Sequence, residues 1–167
     1  MALFPPGKGG GEDVEHGYKG KGVLIHSLVD GDGHPVSILT TGAAGDEREQ
    51  VMPLLDRVRP KTGKRGRPSH HFKSISADRG YDTQALRNAL RRRGVQPKIS
   101  RRIWKGRKQR RGRKPPTSKI RWKVERTFSW YQRKFRRIAT RWERRRVYWY
   151  GFVLLAAVKI WLDILVG

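Results

Sequence analysis

The chain contains no cysteine, which excludes disulfides and thiolate zinc sites and suits a reducing compartment. Acidic residues are also scarce, 14 Asp and Glu against 39 Lys and Arg, for a net charge of +25. A surface that positive repels itself unless something anionic neutralises it. Nucleic acid is the default partner, because each phosphate contacted releases a condensed counterion. An anionic membrane surface and a ribosomal-type RNA-binding role are the alternatives on charge alone. The N-terminus has no basic stretch followed by an apolar one, so no secretory signal is expected. What is present is enough for one folded domain: 167 residues, 36% hydrophobic and 10% aromatic, which argues against wholesale disorder.

Residues 1–22 are rich in glycine and charge and read as a loop. Residues 23–29 and 35–41 read as two strands joined by a tight Asp30-Gly-Asp-Gly33 turn. Val51, Leu54, Leu55 and Val58 mark one helix face, with Pro53 awkward inside it. Residues 60–71 are a basic loop, and 72–77 a short strand. Asp82 is expected to cap a helix over 83–93 that stops at Gly94, with a strand at 95–99. Residues 101–114 hold nine basic side chains in fourteen, before Pro115 and Pro116. Val124, Phe128, Tyr131, Phe135 and Ile138 step by 4, 3, 4 and 3, predicting an amphipathic helix over about 119–140. Residues 147–166 are almost wholly apolar and about long enough to span a bilayer, but contain Lys159 and Asp163. The better reading is a buried helix closing the core, with no membrane. The division expected is a loop (1–22), a core (23–146) and a core-packing helix (147–167), in a mixed α/β chain.

With carboxylates so few, those outside turns and caps stand out. Asp78 follows a predicted strand, where a carboxylate can hold a divalent metal; a turn aspartate beside Gly80 is the plainer reading. Glu125 lies beside the apolar stripe of the 119–140 helix, one turn after Arg121, where an i, i+4 ion pair is the plainer reading. Yet Glu125 stands alone among Arg121, Lys123, Arg126, Arg133, Lys134, Arg136 and Arg137, a setting in which it can hold a metal against phosphate.

Ala77-Asp-Arg-Gly-Tyr-Asp82 resembles the strand-end motif around the second acidic residue of the DDE transposases of bacterial insertion sequences. Arg121-Trp-Lys-Val-Glu-Arg-Thr-Phe-Ser-Trp130 resembles the helix that carries their final glutamate. In the Tyr-x2-Arg-x3-Glu-x6-Lys signature, Arg121 and Glu125 match, while Ser118 replaces the tyrosine and Gln132 the lysine, next to Arg133 and Lys134. Tyr18–Gly22 leading into the hairpin, and Thr41–Glu47 leading into Pro53–Asp56, are similar to the same family's middle region, so the resemblance covers roughly residues 7–166.

The resemblance implies an α/β fold of RNase H-like type, a mixed sheet flanked by helices, incomplete at its N-terminus. It implies three acidic residues gathering two Mg2+ ions (or Mn2+), with Asp78 and Glu125 as two catalytic metal ligands. The first aspartate has no counterpart here: Asp13 sits in glycine-rich sequence and Asp30 and Asp32 in a turn. It is expected upstream of Met1, in a longer chain or a second reading frame, and this chain alone is expected not to transfer DNA strands. The implied partners are DNA, both transposon ends and target, and a second copy or the full-length transposase, in the bacterial cytoplasm at the nucleoid. Arg121, Lys123, Arg126, Arg133 and Lys134, with Arg107, Lys108, Arg110 and Arg111 of the basic run, are the expected DNA contacts. The alternative is a non-catalytic DNA-binding remnant or regulator. Lys64-Arg-Gly-Arg-Pro68 reads as a basic loop or a minor-groove hook, and Trp104 as a loop anchor or a base-stacking residue. The five histidines lack zinc spacing.

Overall fold

A computed structural model describes residues 2–58, 72–101 and 118–167, with the side chains of 118–120 excepted. The Lys64–Pro68 hook, Trp104 and most of the 101–114 basic run lie outside the described residues.

Strand β3 (Gly20–Val29) organises the larger sheet. It pairs antiparallel with β1 (Ala2–Leu3), β2 (Glu15–Gly17) and β4 (Pro35–Gly42). The β3–β4 hairpin is the one expected, and its turn chemistry is legible. Asp30 Oδ1 accepts from the backbone N–H groups of Asp32 (2.8 Å) and His34 (2.9 Å), an Asx turn. A second, parallel pair joins β5 (Ser74–Ala77) to β6 (Gln96–Ile99). The single mixed sheet expected is therefore two sheets among the described residues. The candidate for a joining strand, β1, is two residues long and pairs only with β3.

Helix α1 (Val51–Arg57) holds Pro53 in its first turn, where a missing N–H costs no intrahelical bond. Asp82 does not cap α2 (Gln84–Arg92). Thr83 does, its hydroxyl accepting from Leu86 N at 3.2 Å, and Asp82 instead pairs with Arg87 at 2.7 Å. The expected 119–140 helix is broken: α3 (Ser118–Lys134) ends, Phe135 leaves helical geometry at φ −124°, ψ 81°, and α4 (Arg136–Ala139) resumes. Arg133, Lys134, Arg136 and Arg137 are like charges at i, i+3 and i, i+4 spacing, which weakens a continuous helix there. The apolar stripe still reaches the core, since Phe128, Tyr131 and Ile138 are buried.

Helix α5 (Arg146–Val166) corrects the expected buried helix. Trp149, Val153, Ala156, Ala157 and Ile160 are buried, but Leu155 is 64% and Val158 53% exposed on another face. The helix is long and apolar enough to cross a membrane by length and composition, yet one stripe of it is docked on the sheet. Trp161 Nε1 donates to Pro35 O (2.7 Å) and the Tyr150 hydroxyl to Ile38 O (2.9 Å), fastening α5 to β4.

Two clusters form the core. One joins β1, β3 and β4 to α3, α4 and α5, and the other joins α1 and α2 to the parallel pair. The N-terminal segment is not the plain loop expected. Besides forming β1 and β2, it lies along residues 141–146: Arg141 N donates to Pro6 O (2.9 Å) and Glu12 N to Arg144 O (2.9 Å). Gly11 is required at that contact, with φ +100° and the Arg144 carbonyl where a Cβ would sit.

Buried His26 on β3 makes the fold sensitive to acid. The Thr41 hydroxyl spends its one proton on Gly42 O (3.1 Å), so at 2.7 Å it accepts from His26 Nε2–H. His26 Nδ1 is then a buried lone pair without a hydrogen-bond partner. Burial pulls the imidazole down to about 4, against the opposing charge of Glu47. A depressed histidine stabilises the fold above its ordinary value of 6.5, and that stability is lost as pH falls towards 4. Denaturant melts between about pH 7 and about pH 4.5 should show a loss of about 2 kcal/mol from this group. His26→Gln should flatten the profile; an unchanged profile would mean that His26 does not titrate in the core.

Candidate functional site

Asp78 stands at the end of β5, exposed, and begins a single 3-10 turn, Arg79–Tyr81. Its Oδ1 accepts from Arg79 N at 2.7 Å, which fixes the carboxylate against the turn. Tyr81, at the other end of that turn, is buried among Val51, Leu55, Leu86 and Leu90, and its hydroxyl donates to Glu47 Oε2 at 2.6 Å. Burial first, then the bond to Glu47 and the charges of Glu47, Asp78 and Asp46, push the Tyr81 phenol far above its usual range. It therefore remains a donor at any working pH.

Glu125 is exposed on α3, and its Oε1 accepts from Arg121 Nε at 2.7 Å. Both side chains are about half exposed, so the pair adds little to stability, and its carboxylate is free to exchange partners. The Arg121 guanidinium is held above its ordinary value first by the bond to Glu125 and next by the charge of Asp78. Both acidic motifs, 47 positions apart in sequence, thus act on one guanidinium.

The basic side chains divide into two groups. Lys123 and Arg126 face the hairpin turn: Lys123 Nζ donates to Gly31 O and lies 3.4 Å from Asp32, while Arg126 donates to Asp32 O. Arg126 is also sandwiched between Trp122 and Trp130, 4.9 and 4.8 Å from the ring centroids. Both of these expected DNA contacts are engaged with the turn in this structure while staying partly exposed. Arg133 and Lys134 are exposed, with Lys134 3.9 Å from Asp163. Arg107, Lys108, Arg110 and Arg111 lie outside the described residues.

Sequence reasoning missed Glu47 and the Trp122–Arg126–Trp130 stack. The stack was readable from its i, i+4, i+8 spacing; the role of Glu47 depends on a contact 34 positions away. Among the described residues no group of three or more histidines and carboxylates is assembled as for a metal. Asp13 pairs with Arg146 (3.4 Å), and Asp30 is taken up by its own turn.

Residues 5–158 match the family model described as the transposase DDE domain. The chain is 39% identical over 120 residues to the protein named as the transposase for insertion sequence element IS402 of Burkholderia cepacia. That alignment covers 72% of this chain and 53% of the relative, so the chain spans about half of the relative's length. No solved structure matches the chain. The chain belongs to the DDE-domain transposases of insertion sequences.

Proposed function

We propose that this chain is the C-terminal part of an RNase H-like transposase catalytic domain, which binds transposon-end and target DNA and contributes Asp78 and Glu125 to metal-dependent strand cleavage and transfer in the bacterial cytoplasm. The observation that carries the reading is the match of residues 5–158 to the transposase DDE domain, within which Asp78 ends a strand and Glu125 stands exposed on α3.

The donor set suits a hard divalent cation. Asp78 and Glu125 are exposed carboxylates that each engage one oxygen, with Arg79 N and Arg121 Nε respectively. Their remaining oxygens suit Mg2+ or Mn2+, which keeps several waters and takes further ligands from phosphate. When bound, such an ion polarises the phosphodiester and sharpens the attacking water or hydroxyl. Arg121, released from Glu125, would hold a phosphate oxygen by its planar fork. Arg133, Lys134 and the Arg107–Arg111 cluster would neutralise the flanking backbone without reading bases.

The second reading is a DNA-binding remnant or regulator without catalysis, and the two-carboxylate set favours it for these 167 residues taken alone. Metal binding separates the two. Depletion of the free Mn2+ resonance by the purified chain should weaken about tenfold or more in Asp78→Asn and in Glu125→Gln, as expected when one of two ligands is lost. Asp30→Asn and Asp32→Asn should leave it unchanged. Equal depletion by all four variants would remove Asp78 and Glu125 from the metal site.

DNA binding should follow the charge. Six to ten phosphate contacts predict roughly a 10³–10⁵-fold loss of duplex affinity between about 50 and 200 mM salt. Fluorescence anisotropy on random and A·T-rich duplexes should show that slope with little sequence preference. Replacing Arg107, Lys108, Arg110 and Arg111 with alanine should make the slope shallower. Affinity that stays flat with salt would mean that the basic clusters serve something other than phosphate.

A further inference from the structure

Two carboxylates can share a cation only if they are held at a fixed separation. Glu125 has its reference in the β3–β4 turn, onto which α3 is fastened by Lys123, Arg126 and Thr127. Asp78 has a weaker local frame, because β5 is four residues long and the element after it is one 3-10 turn. That turn closes on Asp78 itself, with Tyr81 N donating to Asp78 O at 3.0 Å. Its far end is Tyr81, a ring only 6% exposed, and the hydroxyl on that ring has a committed partner in Glu47. Glu47 belongs to the segment that leaves β4 and enters α1.

We propose that Glu47 and Tyr81 are positioning residues for Asp78. Their hydrogen bond ties the turn carrying Asp78 to the chain leaving the β3–β4 hairpin, so that Asp78 and Glu125 are both set from that hairpin. Tyr81 fits the task, because burial fixes its ring and a hydroxyl at the ring's tip leaves little freedom of angle. Glu47 fits because its side-chain oxygen reaches the Tyr81 hydroxyl at 2.6 Å, within the range of a well-formed O–H···O bond. The inference rests on the reading of Asp78 as a metal ligand.

The test is Mn2+-induced broadening of the Arg79 and Gly80 backbone amide resonances in the full 167-residue chain. Tyr81→Phe, which removes one oxygen and keeps the ring, should weaken the Mn2+ affinity read there about tenfold, as should Glu47→Leu. Glu47→Gln, whose amide oxygen can still accept from Tyr81, should stay within about twofold of the wild type. Wild-type broadening in Tyr81→Phe would overturn the proposal. So would a Glu47→Gln variant as weak as Glu47→Leu, since Glu47 would then act by its charge. If Tyr81→Phe does not fold, the Gln and Leu pair at position 47 decides. Asp78→Asn separates the two levels: if broadening survives it, Asp78 is no ligand and the parent reading fails. If Asp78→Asn abolishes broadening and Tyr81→Phe does not, the positioning role alone fails.

Discussion

The seat of the β3–β4 turn on α3 is the contact on which the rest of this structure depends. Thr127 is wholly buried, and its hydroxyl donates to Gly33 O. Gly33 takes a positive φ of 89°, and a Cβ there would press on Lys123 O at 3.0 Å, so the turn can approach the helix only with glycine at that position. Lys123 and Arg126 close the carbonyls of Gly31 and Asp32 in the same way. The buried Gly33 carbonyl, left without a donor, would cost on the order of 1–3 kcal/mol, whereas the bonds to Gly31 and Asp32 lie at the surface. With the turn seated, the stripe of Phe128 and Tyr131 is committed to the sheet, and Glu125 is left at the exposed flank.

The excess of positive charge is handled within this frame before any DNA is present. Arg141 is 1% exposed, and its guanidinium donates to Glu143 O (2.9 Å) and Arg144 O (3.2 Å) while lying over Trp149. Burial lowers its value, but arginine keeps its proton in proteins, and the carbonyls and the indole face take up the charge. Arg126 is treated similarly between two tryptophans. Arg133, Arg136, Arg144 and Arg145 remain exposed and available to phosphate. The basic side chains therefore divide into those held within the fold and those left exposed, and composition alone does not say which is which.

What was legible in the sequence was local. The Asp30–Gly33 turn, the α2 helix and the apolar stripe from Val124 to Ile138 follow from spacing and turn chemistry within a few residues. Asp78 at a strand end and Glu125 at the edge of a core stripe were readable for the same reason, since strand ends and helix faces are properties of short windows. What was not legible required contacts across the chain. Thr83 took the cap because Asp82 had Arg87 to pair with. The glycine-rich start became ordered because residues 141–146 offered it carbonyls and donors. Lys123 and Arg126 are engaged by turn carbonyls about 90 positions away, a contact no short window shows. The helix 147–166 was read as buried from its composition, but the sheet covers only one stripe of it.

The central claim is that Asp78 and Glu125 are ligands of one metal site, set by the two ends of a single hairpin. The most direct measurement is anomalous diffraction from crystals of the chain grown with Mn2+ and a short duplex. The account predicts an anomalous peak bonded to carboxylate oxygens of both residues, with Arg121 turned from Glu125 towards a phosphate. A peak that touches neither carboxylate, or carboxylates that face opposite sides of the domain, would contradict it.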